Sequence, residues 1–267
     1  KSKKQLSYDN AYIKIYDIPV FYFPKFFHPD PSVERQSGFL KPEINNSNVL
    51  GSSVAIPYFR EISQDKDLTF TPTLFDKNMI MLENEFRKTE GNYDLLIDYG
   101  FVNNYISPSS KKKKNLSHLF LNLNKNLNFE NFNQSDISLS LEKVTNDTYL
   151  KVFDSHITDS NARPDDLNKL NNHVKIVLNN DKLNFDAGIE TLEDLQVNKS
   201  DRYQYILPYY NFNTEISQKI YQGTLDFYSS GSNTLQNTND LKSVIINDLN
   251  FNSVNYFSNL GFNTKFD

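Results

Sequence analysis

IPVFYFPKFFHPDPSVERQSGFLKPEINNSNVLGSSVAIP, Ile18 to Pro57, joins a proline-punctuated apolar strand to the first of many alternating strands. Upstream of it, Tyr12, Ile13 and Ile15 continue the same density of apolar residues, so residues 1–30 predict one or two strands of a separate, buried sheet. His28 to Gly38 then carries prolines, a glycine and several charges, which is linker chemistry. A boundary is predicted there, with residues 31–37 as the linker and 38–267 as a second region.

Beyond Gly38 the residues alternate. In Tyr93 to Phe101, Tyr93, Leu95, Ile97, Tyr99 and Phe101 oppose Asp94, Asp98 and Gly100. Leu119, Leu121, Leu123, Leu127 and Phe129 oppose Asn122, Asn124, Asn126 and Asn128, and Ile80, Leu82 and Phe86 oppose Glu83, Glu85 and Arg87. Period-2 alternation means a strand with one apolar face and one polar face. Segments of about ten residues recur between Asn, Asp, Gly, Ser and Lys clusters, which predicts roughly eleven to thirteen strands after Gly38. Tight turns at Asp76 to Asn78 and Asn179 to Asp181 make neighbouring strands antiparallel, in up-and-down order.

Composition chooses the solvent. The chain has 267 residues, of which only 38% are hydrophobic, a thin supply for a soluble core of that size. Mean hydropathy is -0.60, and no run of about 18 apolar residues exists, so no helix spans a membrane. A strand barrel is not excluded, because alternation cancels in the average. The 21 Phe and 16 Tyr suit both ordinary strands and the interfacial girdles of barrels. The fold class predicted is therefore all-β, an antiparallel up-and-down sheet of the kind that forms a transmembrane β-barrel.

A net charge of -5 argues against a general nucleic-acid binder, and the absence of cysteine removes disulfides and thiolate metal sites. The chain opens at Lys1 without a signal peptide, as a mature or excised piece would. No catalytic motif is found. His28, His118, His156 and His173 lie far apart without the spacing of metal ligands, and His118 and His173 fall on polar strand faces. The expectation is no enzyme, no cofactor and no metal. The run Lys111, Lys112, Lys113 and Lys114 falls in a predicted outer loop, about Asn103 to Asn115. It is either a candidate contact for anionic phosphate groups or a solvated loop. A second long outer loop is predicted at about Asn146 to Leu170.

The segments IPVFYFPKF (18–26), RQSGFLKP (35–42) and SVAIPYF (53–59) resemble the junction between jellyroll and barrel in the lipopolysaccharide-assembly outer-membrane family, LptD, also called organic solvent tolerance proteins. LEKVTNDTYLKVF (141–153) and DRYQYILPYYNF (201–212) are similar to later segments of that family. The resemblance implies the last strands of a periplasmic β-jellyroll, followed by the first half of a barrel in the cell outer membrane. Pro19, Tyr22, Pro24, Arg35, Ser37, Gly38 and Phe39 would mark the junction. Pro42 and Pro57 would weaken a lateral gate, since proline supplies no ladder donor. The implied partners are lipopolysaccharide, outer-membrane lipids, an LptE-type plug lipoprotein and an LptA-type periplasmic bridge, with no nucleic acid. A porin-like channel and a soluble glycan-binding β-sandwich stay open on the residues alone.

Overall fold

The computed structural model describes residues 5–15, 17–29, 35–107, 112–197, 201–220, 223–236, 240–253, 256–257 and 263–264. A hairpin of β1 (Gln5–Ile15) and β2 (Ile18–Pro29) forms a two-stranded sheet of its own. Leu6, Tyr8, Tyr12 and Tyr22 on it are exposed, where a buried sheet was predicted. Two strands alone cannot cover both of their faces.

The main sheet begins with four short pieces: β3 (Gly38–Phe39), β4 (Glu43–Ser47), β5 (Gly51–Ala55) and β6 (Tyr58–Ser63). Long strands follow: β7 (Lys66–Phe75), β8 (Ile80–Glu90), β9 (Tyr93–Ile106), β10 (Lys113–Asn126) and β11 (Gln134–Val144). A short helix, α1 (Tyr149–Phe153), precedes β12 (Lys169–Asn179), β13 (Leu183–Asp194), β14 (Tyr203–Ile220), β15 (Gly223–Gln236) and β16 (Asp240–Ser253). Two residues each of β17 (Tyr256–Phe257) and β18 (Asn263–Thr264) pair separately.

From β16 back to β7 every strand neighbours the next in sequence, so the sheet is up-and-down as the tight turns predict. Its fourteen segments become twelve strands when β3 with β4, and β5 with β6, are each taken as one interrupted strand. The sheet is not closed: β4 and β16 are the two ends of the order. The turns work as their residues dictate. Asn78 takes φ 54°, and the Asn180 side chain accepts from the amides of Lys182 and Leu183 at 3.0 and 2.9 Å. No described helix is long and apolar enough to cross a membrane.

The described residues fall into two compact units. One comprises Lys1–Thr89, Leu95–Leu119 and Val144–Arg163; the other comprises Glu90–Asp94, Phe120–Lys143 and Pro164–Asp267. In the second unit, buried Glu193 gathers Lys143, Arg202 and Tyr203 at 3.3, 3.1 and 3.0 Å. In the first, the connection after β11 departs from expectation. Rather than an outer loop throughout, it places Tyr149, Leu150, Phe153 and Ile157 in buried positions. The other predicted loop is shorter than expected, because β9 runs on to Ile106 and β10 begins at Lys113. Asn104, at φ 62°, shifts the alternation so that both Val102 and Tyr105 are buried.

Candidate functional site

Register accounts for the first barrel hairpin. Phe39 pairs with Tyr58, whereas Glu43 pairs with Ala55, so Leu40 to Pro42 oppose only Ile56 and Pro57. One extra residue on the first strand is a bulge, and Pro42 stands inside it. Both prolines therefore lie between strand segments and not within continuous strands. At the break, the Leu40 amide donates to the Pro57 carbonyl at 2.9 Å, and the Ile56 amide donates to the Pro72 carbonyl at 3.1 Å. In an antiparallel pair of this kind each residue normally returns the bond. Pro57 and Pro72 have no N–H and cannot. Pro72, inside β7, was not singled out from the sequence; its position fifteen residues after Pro57 matched the Pro42 to Pro57 interval and was a usable signal.

The residues before this hairpin are held by charge and hydrogen bonds. Arg35 pairs with Asp67 of β7 and donates from Nη1 to the Gln64 carbonyl at 2.9 Å. Asp67 is 2% exposed and also accepts from Arg87 at 2.9 Å. Ser37 Oγ accepts from the Glu61 amide at 2.8 Å, and Gly38 is buried as it pairs with Phe59. Phe39 packs edge-on against Tyr58, ring centroids 5.1 Å apart. Arg35, Ser37, Gly38 and Phe39 are thus brought to one place. Pro19, Tyr22 and Pro24 belong to the separate β1–β2 sheet, where Tyr22 donates to Asn10 at 2.6 Å.

The lysine run divides. Lys111 and residues 31–34 of the predicted linker lie outside the described residues. Lys112 to Lys114 are exposed, and Lys113 and Lys114 open β10 and do not sit in a loop.

A second constellation has no counterpart in sequence spacing. Glu83 on β8, Asp98 on β9 and His118 on β10 are each within about one per cent of full burial. The sequence predicts this face as wet; here the segment after β11 seals it. His118 Nε2 lies 3.2 Å from Asp98 Oδ1 and 3.6 Å from Glu83 Oε2. Its Nδ1 is 3.0 Å from the Tyr149 phenol, whose ring packs edge-on to the imidazole. Burial, then the charges of Glu83 and Asp98, push the Tyr149 phenol well above its usual range. Among the described residues no nitrogen or hydroxyl donates to either Glu83 oxygen or to Asp98 Oδ2, and the two carboxyl groups face each other. The same segment reaches the broken hairpin: His156 Nε2 is 3.0 Å from Ser53 Oγ, and its ring sits 5.0 Å from Phe75. Burial lowers the His156 pKa.

In the first unit the apolar side of these strands is the open one, with Ile80 and Tyr99 more than a third exposed. In the second unit Leu141 and Ile189 are likewise more than a third exposed, the reverse of what a soluble sandwich core would leave to water.

No family model matches the chain. It is 38% identical over 85 residues to the LPS-assembly protein LptD of Polaromonas sp. (strain JS666), covering 32% of this chain and 10% of that protein. It is 40% identical over 82 residues to the LptD of Shewanella sp. (strain MR-4), covering 31% and 11%. Against the LptD of Legionella pneumophila (strain Paris) it is 30% identical over 165 residues, 58% of this chain and 19% of that one. The matched stretch spans no more than 19% of the length of these relatives. By sequence, the chain is similar over a third to more than half of its length to proteins named for lipopolysaccharide assembly.

Proposed function

We propose that this chain is part of an outer-membrane lipopolysaccharide translocon, and that the first hairpin of its barrel is one side of a lateral gate. The observation that carries the reading is the interrupted pairing at Leu40–Pro57 and Ile56–Pro72, on the end of the sheet order. A closed barrel has no edge and no reason for donors to be missing near its seam. Here three prolines cluster where the first strand bulges. Acyl chains would pass between the first and last strands, while the sugars travel along the polar face.

Three further facts support it. The relatives are named for LPS assembly. The exposed apolar face suits lipid. The sheet is open at β4 and β16, as a piece of a larger barrel would be. In the whole protein the β1–β2 hairpin would belong to a periplasmic jellyroll that receives lipopolysaccharide from an LptA-type bridge, and an LptE-type lipoprotein would fill the lumen. The chain would do no chemistry on its substrate. Lys112 to Lys114 would meet phosphorylated sugars only in a solvated, secondary way.

The test is site-specific photocrosslinking in the full-length protein in cells. A benzophenone side chain at Leu40 should form an adduct with lipopolysaccharide, and one at exposed Lys125 should not. Absence of an adduct at both Phe39 and Leu40, with export intact, would overturn the gate.

A further inference from the structure

We propose that Glu83, Asp98 and His118 form a buried site for a divalent first-row cation, held in register by Tyr149. Donor geometry is the first argument. Tetrahedral zinc with ligand bonds of about 2.0–2.2 Å spaces its ligand atoms about 3.3–3.6 Å apart. His118 Nε2 stands 3.2 and 3.6 Å from the nearest oxygens of Asp98 and Glu83, and one atom from each of the three residues falls within 4.8 Å of the others. A set of two carboxylates and one imidazole suits a borderline cation, with a fourth position open for water.

The acid pair is the second argument. Glu83 and Asp98 lie beside each other nearly sealed from solvent, with three oxygens that receive no nitrogen or hydroxyl donor among the described residues. Arg163, the cation that acts on Glu83, is already paired with Asp154. Two buried acids side by side must share a proton or hold a cation. The space is also built: a Cβ on Gly100 would lie 2.4 Å from both Glu83 Oε1 and the His118 ring, so glycine leaves the room that the ligands occupy.

Orientation is the third. With the cation on Nε2, Nδ1 carries the proton and donates it to the Tyr149 phenol oxygen at 3.0 Å, which fixes tautomer and ring plane. The cation would clip β8, β9 and β10 together. Through Tyr149 it would also anchor the segment that reaches His156 and Ser53 on β5. Tyr149 is here a positioning residue.

The experiment uses full-length protein purified in detergent without chelator. Metal is measured by mass spectrometry as isolated, and again after equilibration with Zn(II) and gel filtration. Wild type should hold about one zinc per chain more than Glu83→Gln, and Tyr149→Phe should bind Zn(II) about tenfold more weakly. Wild type without metal under both conditions would overturn the site and leave two carboxylates sharing a proton. Equal metal in wild type and Glu83→Gln would also overturn it. Should Glu83→Gln fail to assemble, Co(II) added to wild type decides: visible bands of a tetrahedral nitrogen and oxygen site support the proposal, and their absence sinks it. These outcomes are independent of lipopolysaccharide crosslinking at Leu40.

Discussion

The Leu40 amide donates to the Pro57 carbonyl across 2.9 Å, and Pro57 has no N–H with which to return the bond. Pro57→Ala supplies that donor to the Leu40 carbonyl. The hairpin should gain about 0.5–1.5 kcal/mol, read as slower amide hydrogen exchange at Leu40 and a protected amide at the new residue 57 in the full-length protein. Unchanged exchange would mean that the bulge at Pro42, and not the missing donor, sets the break.

Asp67 is the buried hub for Arg35 and Arg87. Asp67→Asn keeps the shape and removes the charge, so it should cost about 1.5–3 kcal/mol, the range for hydrogen bonds to charged groups. The Arg35 segment, released from β7, should be cut faster by trypsin. A cleavage rate equal to wild type would show that Ser37 and Gly38 hold the segment by themselves.

His156 is buried enough that its pKa falls below the ordinary 6.5. The unfolded chain therefore binds a proton first as pH drops, and the folded state loses stability from about pH 6.5 downward until the folded pKa is passed. Melting temperature should decline across that window more steeply in wild type than in His156→Gln. Parallel curves would remove His156 as the cause.

Gly100 has no room for a methyl group. Gly100→Ala should destabilise the full-length protein by about 1–3 kcal/mol through overpacking, measured by thermal unfolding in detergent. A neutral result would show that the Glu83 and His118 side chains can swing away.

Phe153, fully buried on α1, packs against Tyr105 with ring centroids 5.5 Å apart. Phe153→Ala should cost about 3–5 kcal/mol and free the segment after β11 from the sheet, exposing it to protease. Resistance equal to wild type would mean that Tyr149 and Leu150 suffice.

Alternation made the strands legible: Leu119, Leu121 and Leu123 on one face and Asn122 and Asn124 on the other predict a strand wherever the chain is placed, because the pleat alone fixes the period. Turn chemistry fixed the order for the same local reason, as Asn78 and Asn180 bear out. Arg35, Ser37, Pro42 and Pro57 stood out as a linear motif. Which donor each proline withholds did not, since that depends on whether Phe39 faces Tyr58 or a neighbour, a matter of register between strands. Glu83, Asp98 and His118 were invisible as a group. They are fifteen and twenty residues apart, and only pairing of three strands, with Tyr149 folded over them from beyond β11, turns a face that reads as wet into a dry pocket. Local sequence determines which way each side chain points; long-range packing decides what meets it there.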